Sequence, residues 1–360
     1  MSEVIQKIRV HTMELPLVKV FATSRRVYKS LIFCIAEVGS DQGQVGYGES
    51  REAPQITGEI TESIKAVIEK KLAPALMGMN PFDIEQIHAA MEAEVCANHA
   101  AKCAVDLALY DLMGKIAGLP ACRLMGGRGV KEVETSKAVG LSPQGSAVKE
   151  AASLVKQGFS TLKIKTGVDP LAEIKMIKDI RRAVGPAVRL KLDANQGWSL
   201  PEAVRVINAV EDCDIEVVEQ PLPAWDYSGS ARLRRLIRPP IMLDEGIKTP
   251  QDAVRVIETG AADMLNIKLL KCGGLYPAQA INSIAEAAGL VCQIGSLDTT
   301  IGTAAAAHLA MAKKNIRYAE LVGPTRLKSD LASGLVIKKG MVRVPDGPGF
   351  GITVDTAKLK

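Results

Sequence analysis

From Val133 onward the chain repeats one pattern, a short apolar run followed by a stretch with helical periodicity. Eight such runs recur about every 25 residues: VETSKAV, TLKIKT, VRLKLDA, IEVVEQP, PIMLDEG, DMLNIKL, LVCQIGS and IRYAELVG. A parallel strand with its crossover helix takes about 25 to 30 residues, so the repeat predicts eight parallel strands. Eight units of this kind close a barrel. A last strand that returns to the rest of the chain would leave the eighth unit without a full helix.

The chain before residue 131 has a different order of elements. Three segments, IQKIRVHTMEL, SLIFCIAEV and QVGYGES, are typical of strands, and a helical stretch runs from about Thr57 to Gly118. Strands followed by helices indicate an α+β domain. We therefore predict an α/β protein, with an α+β capping domain at residues 1–130 and a TIM-like (β/α)7β barrel at residues 131–324. We expect the tail, from about residue 325 to 360, to return to the cap.

Composition limits the functional classes. The net charge is only +5, and Lys and Arg are spread among acidic residues, so no nucleic-acid signature is present. No segment has the roughly 20 continuous apolar residues of a membrane span. The seven cysteines include no CxxC pair, which fits free thiols in a reducing compartment. We therefore expect a cytoplasmic protein without nucleic-acid or membrane partners.

Three carboxylates stand at corresponding places in the repeat. Asp193, Glu219 and Asp244 end the third, fourth and fifth apolar runs and are 26 and 25 residues apart. This nearly equal spacing along the chain puts the three carboxylates at the same end of three adjacent strands, and adjacent strands lie about 4.8 Å apart. Chemistry in such barrels lies at the carboxyl ends of the strands. Three carboxylates without Cys or His at ligand spacing predict a Mg²⁺ site, which Mn²⁺ could also fill.

Lysines lie at the ends of the second and sixth strands. Lys163 and Lys165 are two residues apart and therefore share one side of a strand. Strands two and six face each other in an eight-stranded barrel, so Lys165 and Lys268 would flank a substrate held at the carboxylates. Such a pair suits proton transfer at a carbon atom. Because the free pKa of lysine is about 10.4, we expect Lys163 and the metal to lower the pKa of the base.

Two other lysines lie close to these positions. Lys191 precedes Asp193 by two residues and faces the same interior, where we interpret it as structural. Lys271 follows the sixth strand, and we expect it to reach solvent.

Nearly the whole chain resembles the enolase superfamily. The matching segments include GYGES, HAAKCAVDLALYDLMGKIAGLP, KIK, DANQGW, EQP, DEG, NIKLLKCGG, ELVGP and VPDGPGFG. The resemblance is to the muconate lactonizing (muconate cycloisomerase) subgroup of the mandelate racemase/muconate lactonizing enzyme family. It implies a capped TIM-like barrel, Mg²⁺ on the three carboxylates, and acid/base roles for Lys165 and Lys268.

The same resemblance implies roles for four further residues. Lys163 would tune or polarise, and Asn195 and Glu245 would support the metal shell. Glu320 in AELVGP matches an acid that muconate-type members place at the eighth strand, facing the substrate carboxylate. Members of the family often form dimers or octamers, so we expect a homo-oligomer.

Candidate substrate contacts lie in two segments. In this family the loop equivalent to LVKVFATSRRVYKS closes over the substrate, which makes Arg25, Arg26 and Tyr28 candidates. That loop has no apparent helix or strand pattern, so a basic surface loop is the alternative. The second segment is GSLDTTIG, where Ser296 and Asp298 would face the substrate.

The carboxylate of Asp298 bears on the substrate's charge. A carboxylate at this position would attract an ammonium group and repel a dianion such as muconate. An ion pair between Asp298 and Lys268 is the alternative, and it would carry no information on the substrate.

The residues leave several reaction outcomes open. Proton exchange with both lysines gives racemisation or epimerisation, whereas loss of a β-hydroxyl gives dehydration, for example of a hydroxyproline. Dipeptide epimerases of this subgroup usually carry Asp-x-Asp at the eighth strand, where this chain has AELVGP. We predict a Mg²⁺-dependent isomerase acting on a small carboxylate, either a racemase or epimerase of an amino-acid derivative or a muconate-type cycloisomerase. A dehydratase is one alternative, and a non-catalytic ligand-binding barrel is another.

Overall fold

The computed structural model describes residues 3–22, 27–127, 129–130, 132–141 and 144–359. The N-terminal strands form an antiparallel sheet of β1 (Ile5–Ala22), β2 (Val27–Ser40) and β3 (Val45–Arg51), in that order. The first two strands are longer than predicted, because Phe21 still pairs with Tyr28 and Ala22 with Val27. The segment LVKVFATSRRVYKS is interpreted above as a loop, but its described residues belong to these two strands.

Helices cover one face of this sheet. They are α1 (Thr61–Val67), a π-helical segment (Ile68–Leu72), α2 (Ala73–Leu76), α3 (Ile84–Glu94), α4 (His99–Ala117) and α5 (Ala121–Leu124). Nearly every residue of α4 is buried, since the helix lies between the sheet and the rest of the molecule. It can approach β3 closely because Gly46 and Gly48 present no side chain to it: a Cβ atom on either glycine would lie 2.1 Å from a carbonyl oxygen of α4.

The predicted first barrel strand is divided in two. Its beginning forms β4 (Glu132–Glu134), which pairs outside the barrel, and only β5 (Lys137–Val139) joins the barrel sheet. The other barrel strands are β6 (Thr161–Lys165), β7 (Arg189–Asp193), β8 (Ile215–Glu219), β9 (Ile241–Leu243), β10 (Met264–Ile267), β11 (Val291–Ser296) and β12 (Ile316–Leu321). They run parallel in chain order.

Helices alternate with these strands. They are α6 (Gln144–Lys156), α7 (Pro170–Val184), α8 (Leu200–Ala209), α9 (Tyr227–Arg234), α10 (Pro250–Thr259), the short α11 (Leu269–Cys272), α12 (Leu275–Ala287) and α13 (Thr300–Ala312). Local sequence sets their ends: in α7, Asp169 accepts hydrogen bonds from the backbone N–H groups of Leu171 and Ala172, and Pro170 takes the first position.

Hydrogen bonds between the two ends of the barrel sheet complete the ring. The Ser136 N–H donates to the Ala319 carbonyl oxygen at 2.9 Å, and the Leu321 N–H donates to the Thr135 hydroxyl at 2.7 Å. A 3₁₀ turn (Gly323–Arg326) follows β12 in place of an eighth helix. The predicted (β/α)7β barrel with a separate N-terminal cap is thus confirmed. Among the described residues, no helix combines the length and apolar character needed to cross a bilayer.

The tail contains β13 (Ala332–Ser333), β14 (Val336–Lys338), β15 (Met341–Arg343), β16 (Thr353–Val354) and a 3₁₀ turn (Thr356–Lys358). It contacts both parts of the molecule. β15 pairs with β4, while the Phe350 N–H donates to Asp111 on α4 at 2.8 Å.

Two buried acids of the cap bind the barrel at helix N-termini. Glu49 on β3 accepts hydrogen bonds from the N–H groups of Thr299, at 2.7 Å, and Gly302, at 3.0 Å, where α13 begins. Asp106 on α4 accepts from the N–H groups of Leu275 and Tyr276, where α12 begins. Helix N-termini favour negative charge, so these contacts hold the cap over the carboxyl ends of the barrel strands.

We predict that Gly48→Ala destabilises the protein by about 1 to 3 kcal/mol, because the added Cβ would lie 2.1 Å from the Ala104 carbonyl oxygen. Urea unfolding measures the change. Gly39→Ala in β2 is the matched control, since its Cβ would lie 3.5 Å from the nearest atom, an ordinary contact. Equal effects of the two substitutions would disprove the role given to this close approach.

Candidate active site

The three predicted carboxylates lie side by side at the carboxyl ends of adjacent strands. Asp193 ends β7 and Glu219 ends β8, and the two residues are paired in register. Asp244 directly follows β9. All three side chains are completely buried. Buried carboxylates need cationic or hydrogen-bond partners, so their surroundings decide what the site can do.

Three of the predicted lysines are cationic partners of these carboxylates. Lys163 and Lys165 both lie on β6, and Lys268 directly follows β10. The Lys165 ammonium donates to Asp193 Oδ2 at 2.6 Å, and the Lys268 ammonium pairs with Asp244. β6 and β10 are four strands apart in the eight-stranded ring. The two ammonium groups therefore approach the carboxylates from opposite sides, as the sequence predicts.

Lys163 lies between the acids of neighbouring strands. Its ammonium nitrogen lies 3.2 Å from Asp193 Oδ2 and 3.2 Å from Glu219 Oε2, and it also pairs with Glu320. One cation thus bridges two of the predicted metal ligands and the acid of the eighth strand.

A fourth lysine of the site was missed. Lys271 was expected to reach solvent, but it is buried and its ammonium lies 2.5 Å from Asp244 Oδ1. It also donates to the backbone carbonyl oxygens of Asp244 and Asn266. The expectation was wrong because the short helix α11 turns the chain back over the strand end immediately after Lys268. No periodicity in the sequence marks that turn.

Lys191, interpreted above as structural, lies deeper in the barrel. Its ammonium donates to the Gln293 amide oxygen at 2.9 Å and lies 4.0 Å from the centre of the Tyr318 ring. Burial lowers the pKa of Lys191 to about 8, against opposing contributions from Glu216 and Glu219.

Charge compensation separates the pKa values of the three carboxylates. Burial acts to raise the pKa of Asp244, but Lys268 and Lys271 outweigh burial and lower it. At Asp193, burial again acts to raise the pKa, but Lys165 and Lys163 outweigh burial and lower it. At Glu219, burial and then the neighbouring Asp193 charge raise the pKa to about 7. Glu219 is therefore the least firmly ionised of the three.

The same interactions act on the lysines. Burial would lower the pKa of Lys268, but the carboxylates of Asp244 and Glu219 outweigh burial and raise it. Burial would also lower the pKa of Lys163, but Glu219 and Glu320 outweigh burial and raise that pKa well above its usual value. The expected lowering of the base's pKa depends on the bound metal together with Lys163, and it stays a prediction.

The donor set agrees with a hard divalent cation in its chemistry but not in its present spacing. Three buried carboxylates with no nitrogen or sulfur donor are the ligands that Mg²⁺ prefers. Among the described residues, no three His, Cys, Asp or Glu side chains stand close enough together to hold a metal ion. The ammonium groups of the lysines occupy the oxygen atoms that such an ion would need. A shared ion on these carboxylates stays a prediction.

Polar side chains surround the three acids. Asn195 accepts from the Lys165 ammonium at 2.8 Å and donates to Glu245 Oε1 at 3.1 Å, so the two predicted supporting residues contact each other. Two further residues were missed. Gln220 accepts from the Asp244 N–H at 2.9 Å, and Asn266 donates to Glu219 Oε1 at 2.9 Å.

A cavity of about 100 Å³ lies between the cap and these groups. Phe21, Tyr28 and Arg51 line it from the cap, and Lys165 and Lys268 line it from the barrel. Each of the two lysines therefore faces the same enclosed space. Nothing in the sequence marks Arg51 as a site residue, because a single arginine at a strand end is most often exposed.

The predicted substrate residues are only partly brought together. Ser296 and Glu320 line the cavity, as Tyr28 does, whereas Asp298 does not. Asp298 lies behind Ser296, whose hydroxyl donates to Asp298 Oδ2 at 2.8 Å. Arg25 and Arg26 lie outside the described residues.

Neither interpretation of Asp298 matches this geometry. Its carboxylate is not part of the cavity wall, so it does not offer a direct contact to an ammonium group. Lys268 is ion-paired with Asp244 instead of with Asp298. Burial raises the pKa of Asp298, and the nearby Arg51 guanidinium opposes that rise.

Family models match almost the full length of the chain. Residues 5–126 match the N-terminal domain of the mandelate racemase/muconate lactonizing enzyme family, and residues 146–358 match the enolase C-terminal domain-like family. In sequence, the chain is 39% identical to the L-Ala-D/L-Glu epimerase of Bacillus subtilis over 98% of both chains.

Comparison with solved structures gives the same relatives as comparison of sequences. The N-succinyl Arg/Lys racemase of Bacillus cereus superposes with a TM-score of 0.96 at 33% identity, covering 100% of this chain and 97% of the racemase. The dipeptide epimerase of Enterococcus faecalis, solved with Mg and the dipeptide L-Leu-L-Tyr, superposes with a TM-score of 0.94 at 39% identity, covering 98% and 100%. These relatives are all isomerases, which argues against the non-catalytic alternative. The chain is therefore an isomerase-type enzyme of the enolase superfamily and belongs to the mandelate racemase/muconate lactonizing enzyme family.

Proposed function

We propose that this enzyme is a Mg²⁺-dependent racemase or epimerase of an amino-acid derivative. One observation carries the proposal: Lys165 and Lys268 line one cavity from opposite sides of the barrel, with buried carboxylates between them. Two opposed bases are what inversion at a carbon atom requires, because one removes the proton and the other returns it from the opposite face. The epimerase and racemase activities of the relatives support the same outcome.

Asp193, Glu219 and Asp244 would hold the ion. When bound, Mg²⁺ would stabilise the negative charge that develops on the substrate carboxylate as the proton leaves the adjacent carbon. With these carboxylates holding the ion, Lys165 and Lys268 would be available to the substrate. The uncharged form of either lysine can take the proton, and the charged form of the other can return it.

The remaining groups around the site orient these side chains. Asn195 accepts from Lys165 at 2.8 Å, which fixes the direction of that ammonium group on the β6 side. Lys271 binds Asp244 together with Lys268, so the Asp244 carboxylate keeps one cationic partner when Lys268 turns to the substrate. Cap residues above the cavity exclude water from the reacting carbon.

The substrate class is tested by proton NMR of the Mg²⁺-loaded enzyme in D₂O. The panel comprises N-succinyl and N-acetyl amino acids, dipeptides, free and hydroxylated prolines, and muconate. Deuterium at an α-carbon with inversion of configuration identifies an epimerase substrate. Loss of water from a hydroxyproline, or ring closure of muconate, would instead identify a dehydratase or a cycloisomerase.

We predict that Lys165→Ala and Lys268→Ala each lower the rate of epimerisation by at least about 100-fold, because each removes one of two required proton carriers. The remaining lysine should still exchange the α-proton of one stereoisomer for deuterium. NMR of each pure stereoisomer measures both effects. Lys175→Ala, on the exposed face of α7, is the control and should leave both rates unchanged. Unimpaired epimerisation in either lysine variant would rule out the two-base assignment.

Metal binding has a test that needs no substrate. The melting temperature of the wild-type protein should rise with Mg²⁺ concentration, because an ion that binds only the folded state stabilises it. Glu219→Gln should remove most of this rise. Glutamine keeps the size of the side chain, and its amide oxygen can still accept the hydrogen bond from Asn266, so the variant should fold.

The control for that experiment is Glu85→Gln, an exposed residue of α3, which should keep the full response to Mg²⁺. An equal rise in Glu219→Gln, or no rise in the wild-type protein with either Mg²⁺ or Mn²⁺, would refute the assignment of these carboxylates.

A further inference from the structure

Gln220 forms hydrogen bonds at the ends of all three strands that lead to the site carboxylates. It directly follows Glu219, the last residue of β8. Its backbone N–H donates to the Met242 carbonyl oxygen of β9 at 2.8 Å. Its backbone carbonyl oxygen accepts at 2.8 Å from the N–H of Gln196, in the segment that follows β7. A single residue therefore connects the ends of β7, β8 and β9.

The side chain of Gln220 makes further contacts with the segment that follows β9. The residue is completely buried. Its amide oxygen accepts from the N–H groups of Asp244, at 2.9 Å, and Gly246, at 3.0 Å. Its amide nitrogen donates to the Leu222 carbonyl oxygen at 2.9 Å. These partners fix the orientation of the amide, because exchange of its oxygen and nitrogen would place N–H donors against N–H donors.

The backbone of Gln220 has a conformation that residues with a side chain rarely adopt. Its φ angle is +37°, in the left-handed region. That region is sterically unfavourable for any residue except glycine, which adopts it readily. The hydrogen bonds of the side chain offset this strain, so the side chain accounts for a glutamine at this position.

Sheet pairing does not extend to Asp244 as it does to the other two acids. Asp193 and Glu219 are the last residues of their strands and pair with each other in register. β9 has only three residues, Asp244 lies beyond its end, and the register partner of Glu219 is Met242. The Asp244 N–H is bonded to the side chain of Gln220 in place of a neighbouring strand.

Backbone hydrogen bonds between successive strand ends show the same difference. The carbonyl oxygens of Asp193 and Glu219 each accept from the N–H of the residue that follows the previous strand, at 2.9 and 3.2 Å. The corresponding N–H after β8 belongs to Gln220, and it donates to Met242, two residues before Asp244. The backbone of β8 thus does not reach the third acid, whereas the side chain of Gln220 does.

Electrostatic forces act to separate Asp244 from Glu219. The two carboxylates repel each other. Lys268 and Lys271, which both follow β10, attract the Asp244 carboxylate toward the far side of β9. The amide of Gln220 holds the backbone of Asp244 from the β8 side, and it does so without adding a charge to the site.

We infer that Gln220 is a positioning residue for the divalent ion: through the backbone of Asp244, it limits how far that carboxylate can move from Glu219. The inference rests on the proposed function, which assigns both acids to the ion. Gln220 does not line the cavity, so it acts through Asp244 and not on the substrate. Mg²⁺ requires near-ideal octahedral geometry, and displacement of one ligand therefore weakens its binding.

Calorimetric titration of the full-length protein with Mg²⁺ tests this inference without substrate. Gln220→Met keeps the length of the side chain and removes the acceptor, so it should weaken Mg²⁺ binding at least about tenfold, the ratio expected for loss of the hydrogen bonds that hold one ligand. Gln279→Met is the matched control. Gln279 is a partly buried glutamine of α12 whose amide donates to the Tyr110 hydroxyl, outside the cavity, and this variant should keep wild-type affinity.

A second variant separates the amide from the strained backbone. Gln220→Gly removes the amide but adopts the left-handed conformation without steric cost, so it should bind Mg²⁺ as weakly as Gln220→Met. Wild-type affinity in the glycine variant would assign the effect to backbone strain and overturn the inference. The glycine variant also replaces the methionine variant if the latter does not fold.

Melting temperatures without the ion distinguish positioning from a purely structural role. A structural role predicts that Gln220→Met melts at a lower temperature while the folded variant binds Mg²⁺ with wild-type affinity. That result would overturn the inference and leave the metal site of the proposed function intact. A wild-type protein that binds neither Mg²⁺ nor Mn²⁺ would instead refute the metal site, and this inference with it, so the two failures are distinguishable.

Discussion

Mutual neutralisation of buried charges at the carboxyl ends of the barrel strands governs this structure. Asp193, Glu219 and Asp244 are completely buried, and so many acids could not remain ionised in a barrel without cations beside them. Lys163 and Lys165 supply this charge from one side, and Lys268 and Lys271 supply it from the other. The chemistry of the site follows from this arrangement, since the groups that compensate the acids are also the groups proposed to carry protons.

Exclusion of solvent strengthens the attractions between these charges, and the cap provides that exclusion. Glu49 on β3 and Asp106 on α4 bind the N-termini of two barrel helices, which holds the cap directly above the strand ends. The close approach of α4 to β3 depends on Gly46 and Gly48. Packing within the cap is thus connected to the position of Arg51, which continues the same strand into the cavity.

Much of the site could be predicted because its residues occur at fixed places in a repeating pattern. Strand alternation places Lys163 and Lys165 on one side of β6, and equal spacing places the acids at adjacent strand ends. Other features have no such pattern. Lys271 enters the site through a one-turn helix and contacts Asp244, Gln220 accepts from the Asp244 N–H at the end of the neighbouring strand, and Asp298 accepts from Ser296 and does not line the cavity. The contacts of Lys271 and Gln220 join segments that are distant in the chain.

The sequence by itself determined the eight-stranded barrel, the cap, and the lysines and acids at the strand ends, because hydrophobic periodicity and residue spacing are local properties. Only the tertiary structure decided how each buried cation is compensated. Arg51 and Arg326 both line the cavity, yet Arg326 lies against the Phe21 ring in the field of Glu320, whereas Arg51 lies in the field of Asp298. That difference arises from packing between the cap and the barrel, and electrostatic compensation at a few ångströms is not encoded in the order of residues along the chain.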